Sequence, residues 1–137
     1  MFTEENAKVA LLEFAKKDKV KAQLLEKIMR DETAHFKSAQ YALTGSAGME
    51  DGAWGEKVKK YFPNGYKTAT LNDNHPELRG KKACQFIVWT NVGLFLQFLS
   101  DYIDRHDGNY ACWNSLDPKR QAAYKAAVSS VKNRFVV

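Results

Sequence analysis

The sequence predicts a mainly helical α+β domain, with a long glycine- and aromatic-rich loop or small hairpin forming one wall of a cleft. Three observations predict it. Apolar residues recur at helical spacing through the first 41 residues and again from residue 83 onward. Between them, residues 44–82 hold Gly45, Gly48, Gly52, Gly55, Gly65 and Gly80, six of the chain's eight glycines, with Pro63 and Pro76. The length of 137 residues and 45% hydrophobic content fit one domain, 1–137, with a core of its own.

The elements follow in order. Residues 4–17 read as a helix capped by Thr3, with Val9, Leu11, Leu12 and Phe14 as its apolar positions. After a charged turn, a second helix runs from Val20 to Tyr41. The loop region interleaves Trp54, Tyr61, Phe62 and Tyr66 with turns at Asn64-Gly65 and Asn72-Asp73-Asn74, and a short hairpin is expected around Tyr61–Thr70. Ordered loops of this length more often bind something than merely connect. From Ala83 the helical period returns, and Val92, Phe95, Leu96, Leu99, Tyr102 and Ile103 define an amphipathic helix ending near His106, with Gly108 as its stop. Asp117-Pro118 opens a last helix with Ala123, Tyr124, Ala127, Val128 and Val131 inward.

Lys and Arg outnumber Asp and Glu by 21 to 16, a net charge of +5. That excess suits nucleic acid, a membrane surface or an acidic wall polymer. The charge is scattered in short clusters, Lys16–Lys17, Lys57–Lys60 and Arg79–Lys82, so no nucleic-acid partner is expected. Nucleic-acid binding would need Lys57, Lys59, Lys60, Arg79, Lys81 and Lys82 on a single face. The N-terminus places acids before bases and has no long apolar run, so no secretory signal is expected. The longest apolar stretch, Val92–Leu99, is too short and too interrupted to span a membrane. Cys84 and Cys112 lack metal-ligand spacing and read as two buried thiols, a single bridge remaining open in an oxidising compartment. There is no nucleophile elbow and no phosphate-cradling glycine loop, and Glu32 with His35 does not make a metal site.

The stretch IMRDETAHFKSAQY, residues 28–41, poses the main chemical question. Leu25, Ile28, Met29 and Phe36 share one helical face, and Glu32 falls near its centre. An ionised carboxylate costs several kcal/mol to bury without partners. Either Glu32 pairs with Arg30, His35 or a distant lysine, or it is a general acid whose apolar wall keeps it protonated near neutral pH.

The Glu32-Thr33-Ala34-His35-Phe36 segment closing an apolar helix resembles the Glu-Thr segment of plant-type chitinases, and more broadly the lysozyme-like superfamily. The order of elements is similar to small muramidase-like domains of phages and bacterial secretion systems: ETAHFKSAQYALTGSAGME, then a glycine- and aromatic-rich region, then FLSDYIDRHDGNYACWNSLDPKRQAAYKAAV. The resemblance implies a bacteriolytic glycosidase that cleaves a β-1,4-linked aminosugar polymer, peptidoglycan ahead of chitin. Glu32 would protonate the glycosidic oxygen. A loop carboxylate, Glu50 ahead of Glu56, would activate water with inversion, or the reaction would run on a single acid. An aspartate nine residues after the acid, as in phage-type lysozymes, is absent, since Tyr41 stands there. No metal or organic cofactor is implied. The protein would be made in the cytoplasm and act in the periplasm or wall after export or injection, with a delivery apparatus or an immunity or inhibitor protein as further partners.

Each other candidate has a plainer reading beside it. Gln40 and Tyr41 line the cleft or belong to the core. Thr44 and Ser46 hydrogen-bond a sugar or simply form a turn. Trp54 and Tyr61 stack on sugar rings or build the loop's own small core. His35 tunes Glu32 or is a surface histidine. Trp113, in GNYACWNS, shapes the cleft wall or is structural, with Asn109 and Asn114 capping its turn. The rival class is a non-enzymatic helical adaptor in which Glu32 is a structural ion pair. An enzyme should have Glu32 at the floor of a cleft, whereas an adaptor should have Glu32 paired and an apolar patch exposed elsewhere.

Overall fold

The structure, a computed structural model, describes residues 1–71 and 84–137. The turn at 72–74, Pro76, Gly80 and the cluster Arg79–Lys82 lie outside the described residues. The described chain is mainly helical, with one two-stranded antiparallel sheet. None of its helices is long and apolar enough to cross a membrane.

Helix α1, Glu4–Ala15, starts on a capping box in which the Thr3 hydroxyl accepts the Asn6 N–H and the Asn6 side chain accepts the Thr3 N–H. It buries Ala7 and Leu11, while Val9 is 59% exposed and Leu12 40% exposed. Of the four expected apolar positions, Leu11 is buried and Phe14 packs half-buried against the core, while Val9 and Leu12 lie outside the face that meets α2 and α5. Helix α2, Lys19–Glu32, is capped by Asp18 and buries Ala22, Leu25, Ile28 and Met29 together with the polar pair Glu26 and Arg30.

The second helix stops nine residues before Tyr41, where the sequence predicts a continuous helix. Thr33 ends it: its hydroxyl donates to the Met29 carbonyl (2.6 Å) and accepts the Phe36 N–H (2.8 Å). Ala34, His35 and Phe36 then take φ of 50°, 57° and 69°, a left-handed turn that no right-handed helix can include. Ser38 caps a fresh start, accepting the Tyr41 N–H ahead of α3, Ala39–Thr44. That helix ends at Gly45, where φ is 72° and any Cβ would fall 2.7 Å from the Phe2 ring; both demand glycine.

A short α4, Asp51–Trp54, and a 3-10 turn at Lys59–Tyr61 lead into β1, Lys67–Leu71. The expected hairpin over 61–70 is corrected, because β1 pairs with β2, Cys84–Val88, in the register Lys67–Val88 to Leu71–Cys84. The helical period expected from Ala83 likewise gives way to this strand. A short segment ending in Phe86, Ile87 and Val88 fits either state by pattern, and here it pairs. Two bonds tie β2 to the preceding loop, from the Ile87 N–H to the Met49 carbonyl and from the Trp89 N–H to the Thr44 carbonyl, both 2.9 Å.

Helix α5, Val92–Arg105, is capped by Asn91 and carries the centre of the core: Phe95, Leu96, Phe98, Leu99 and Ile103 are buried. Gly108, with φ of 82°, closes the turn after it, as expected. A 3-10 turn at Tyr110–Trp113 follows, then α6, Pro118–Ser130, with proline in its first turn. Only Tyr124 and Val128 of α6 are buried; Ala123 and Ala127 are exposed and Val131 half-buried, because α6 meets α2 and the 3-10 turn through a single seam. Cys84 and Cys112 are half-buried thiols and form no disulfide.

Candidate functional site at the end of helix α2

The fully buried carboxylate of α2 is Glu26, not Glu32. Glu26 accepts from Arg30 Nε (2.7 Å), from the Asn133 side chain (3.0 Å) and from the backbone N–H groups of Arg134 (2.9 Å), Phe135 (3.1 Å) and Val136 (2.9 Å). Burial alone would raise its pKa, but these donors overcome that and hold it at about 2. The Arg30 guanidinium lies 4.4 Å from the Phe135 ring centroid and 5.1 Å from that of Phe36, and those two rings stack at 6.0 Å. The C-terminal tail is thereby fixed against the left-handed turn.

Glu32 is the last residue of α2 and is half-buried. Its carboxyl pKa is raised, chiefly by desolvation; the Tyr124 phenol pulls it back, and the Asp31 charge adds to the rise. Among the described residues no basic group is within ion-pair distance of Glu32, neither Arg30, which is committed to Glu26, nor His35. The Tyr124 hydroxyl is buried beside it without a hydrogen bond of ordinary geometry, and its pKa is pushed up by burial and by the Glu32 charge. Asp31 is raised by burial, with the His35 charge opposing. His35 itself is exposed, in the middle of the left-handed turn.

The other sequence candidates fall into separate groups. Gln40 and Thr44 come together in a buried network: the Thr44 hydroxyl donates to the Gln40 carbonyl (2.7 Å) and lies 3.1 Å from the Ser46 hydroxyl. Tyr41 is a core tyrosine whose hydroxyl donates to the Thr3 carbonyl (2.7 Å). Glu50 is exposed, precedes α4 and bridges to Phe86 of β2. Glu56 is an exposed carboxylate paired with Lys59 at 2.9 Å. Trp54 and Tyr61 both pack edge-on against Phe98, and Tyr61 donates to Asp101.

Among the described residues, Glu32 lines neither of two prominent cavities. One, of about 620 Å³, lies between α1 and the start of α5, near Phe2, Phe14 and Val92. The other, of about 600 Å³, is bounded by Trp54, Tyr102 and Trp113 with Lys57, Arg105 and His106. Sequence reasoning missed Tyr124 as the neighbour of Glu32 and read it only as core. It also missed the basic residues around the second cavity, although Arg105 and His106 closing an aromatic helix were a visible signal. Compared with models of protein families, with curated proteins and with solved structures, the chain finds no match.

Proposed function

We propose that the chain is a lysozyme-like glycoside hydrolase acting on a β-1,4-linked aminosugar polymer, peptidoglycan ahead of chitin, with Glu32 as general acid. One observation carries this reading: a carboxyl group with a raised pKa, a phenol facing it and, among the described residues, no cation in ion-pair range ends a core helix. Such a group keeps its proton to higher pH than an ordinary carboxyl and can deliver it to a glycosidic oxygen as the bond to the anomeric carbon breaks. After Thr33, three consecutive non-glycine residues take left-handed conformation, each costing about 1–2 kcal/mol. Strain of that kind gathers where geometry serves function. Glu50 is the better partner to activate water, since Glu56 is already paired with Lys59. The basic surface would hold an anionic wall polymer, reached by export or injection. Against the adaptor reading stands the lack of any cation in ion-pair range of Glu32 among the described residues, and against the enzyme reading stands that Glu32 lines neither of the two cavities described.

New reducing ends released from purified sacculi, and in parallel from chitin, test the proposal. The wild type should release them, and Glu32→Gln should lose at least about a hundredfold in rate. Equal rates for the two proteins, or no release from either polymer, would refute it.

A further inference from the structure

The second cavity lies away from Glu32 and has a chemistry of its own. Its floor is aromatic, with the Trp54 and Trp113 ring centroids 5.0 Å apart and Tyr102 edge-on to Trp113 at 5.3 Å. Its charged lining is all basic, from Lys57, Arg105 and His106; among the described residues no Asp or Glu lines it. The volume of about 600 Å³ is that of a small-ligand site.

The basic groups are held in place. Arg105 lies against the Tyr61 phenol, which is itself fixed by its bond to Asp101, and Asp101 also accepts from Gln97 (2.9 Å). His106 Nδ1 is 2.8 Å from the Tyr102 carbonyl; a carbonyl only accepts, so Nδ1 carries a proton, and Nε2 donates to a carboxylate only when the ring takes up a second one. The Lys57 ammonium sits 5.1 Å from the Trp54 ring centroid. Lys57 thus caps one side of Trp54, and the two indoles, inclined at 33°, touch each other instead of framing a slot. A nucleobase or pyranose ring, which needs an open aromatic face, is poorly served. An apolar side chain against ring edges, with a planar carboxylate on the Arg105 fork, is well served.

We propose that this cavity binds the free C-terminal carboxylate of a peptide whose last residue is apolar. The carboxylate meets Arg105 with Lys57, His106 borders the site, and the terminal side chain lies on Trp54, Tyr102 and Trp113. The site is independent of the chemistry assigned to Glu32.

Two of the chain's three tryptophans line the cavity, so intrinsic fluorescence of the intact protein reports on it directly. The probes are acetyl-Gly-Ala-Leu as free acid, the same peptide as C-terminal amide, chitotetraose and adenosine monophosphate. The acid should perturb the emission saturably, with the amide about tenfold weaker, the difference one charged contact makes. Arg105→Gln, an exposed helix-end change, should erase the preference of acid over amide, while Glu32→Gln leaves it intact. Equal binding of acid and amide, no saturable response to the acid, or a response to the sugar or nucleotide instead would overturn the proposal. A preference that survives in Arg105→Gln would overturn the role given to that residue.

Discussion

Glu26 and Glu32 occupy one helix, and their surroundings push their carboxyl groups in opposite directions. Glu26 is the depressed case: its pKa falls from 4.5 to about 2, so its contribution is present above pH 4.5 and is lost as pH falls toward 2. That difference corresponds to roughly 3 kcal/mol, and acid unfolding of the wild type should concentrate in this window, followed by circular dichroism. Glu32 is the raised case. The folded state binds its proton more tightly than the unfolded chain does, so stability is lost as pH rises through the folded pKa. Glu32→Gln should therefore melt at a higher temperature than the wild type at pH 7 and at the same temperature in acid below both pKa values. A variant that melts lower at pH 7 would mark Glu32 as a paired, structural carboxylate. Neither environment is visible in the sequence. Glu26 sits beside the apolar stripe, and its strongest donors come from residues 134–136, over a hundred positions away. The Glu26–Arg30 spacing of four was the one local sign.

At the scale of elements, the break between α2 and α3 decides where Glu32 points. Phe36 keeps helical spacing with Ile28 and Met29, which is why periodicity alone carries the helix past Glu32. The signals of the break are Thr33 and Ser38, both able to bond to backbone in competition with a helix. Three left-handed residues are not readable from Ala-His-Phe, since of the three only His is enriched at positive φ, and a run of three is rarer still. Ala34 is exposed, and its φ of 50° suits glycine. Ala34→Gly should raise stability by about 0.5–1 kcal/mol in urea titrations, the relief of strain outweighing the added freedom of the unfolded chain. The cap of α1, the stop at Gly108 and the proline opening α6 are all legible, because each rests on neighbouring residues. Strand β1 is not, because its partner lies beyond residue 83, and strand pairing across such a distance leaves no local trace.

Across the whole molecule, the C-terminal tail closes the structure over the end of α2. Asn133 and the N–H groups of residues 134–136 satisfy a carboxylate that α2 cannot satisfy alone, and Phe135 stacks on the turn beyond Glu32. Deleting residues 133–137 would leave Glu26 buried beside Arg30 with its other lone pairs unmet. The loss should be about 3–5 kcal/mol at neutral pH by thermal or urea unfolding. It should shrink if Glu26 and Arg30 are replaced together by Gln and Met, since the stranded charges are then removed. The mainly helical class is legible from periodicity, and the seam positions of α1 and α6 are not, because a narrow packing stripe leaves several apolar residues outside.

The reading of Glu32 as an acid rests on its holding a proton that an ordinary surface carboxylate would give up. Carbon-13 NMR of the glutamate side-chain carboxyls, titrated from pH 3 to 9 with Glu32→Gln to assign the signal, measures that directly. The account predicts a midpoint for Glu32 clearly above 4.5. A midpoint at or below that value would show a carboxylate stabilised as an anion, and Glu32 would then belong to the structure and not to catalysis.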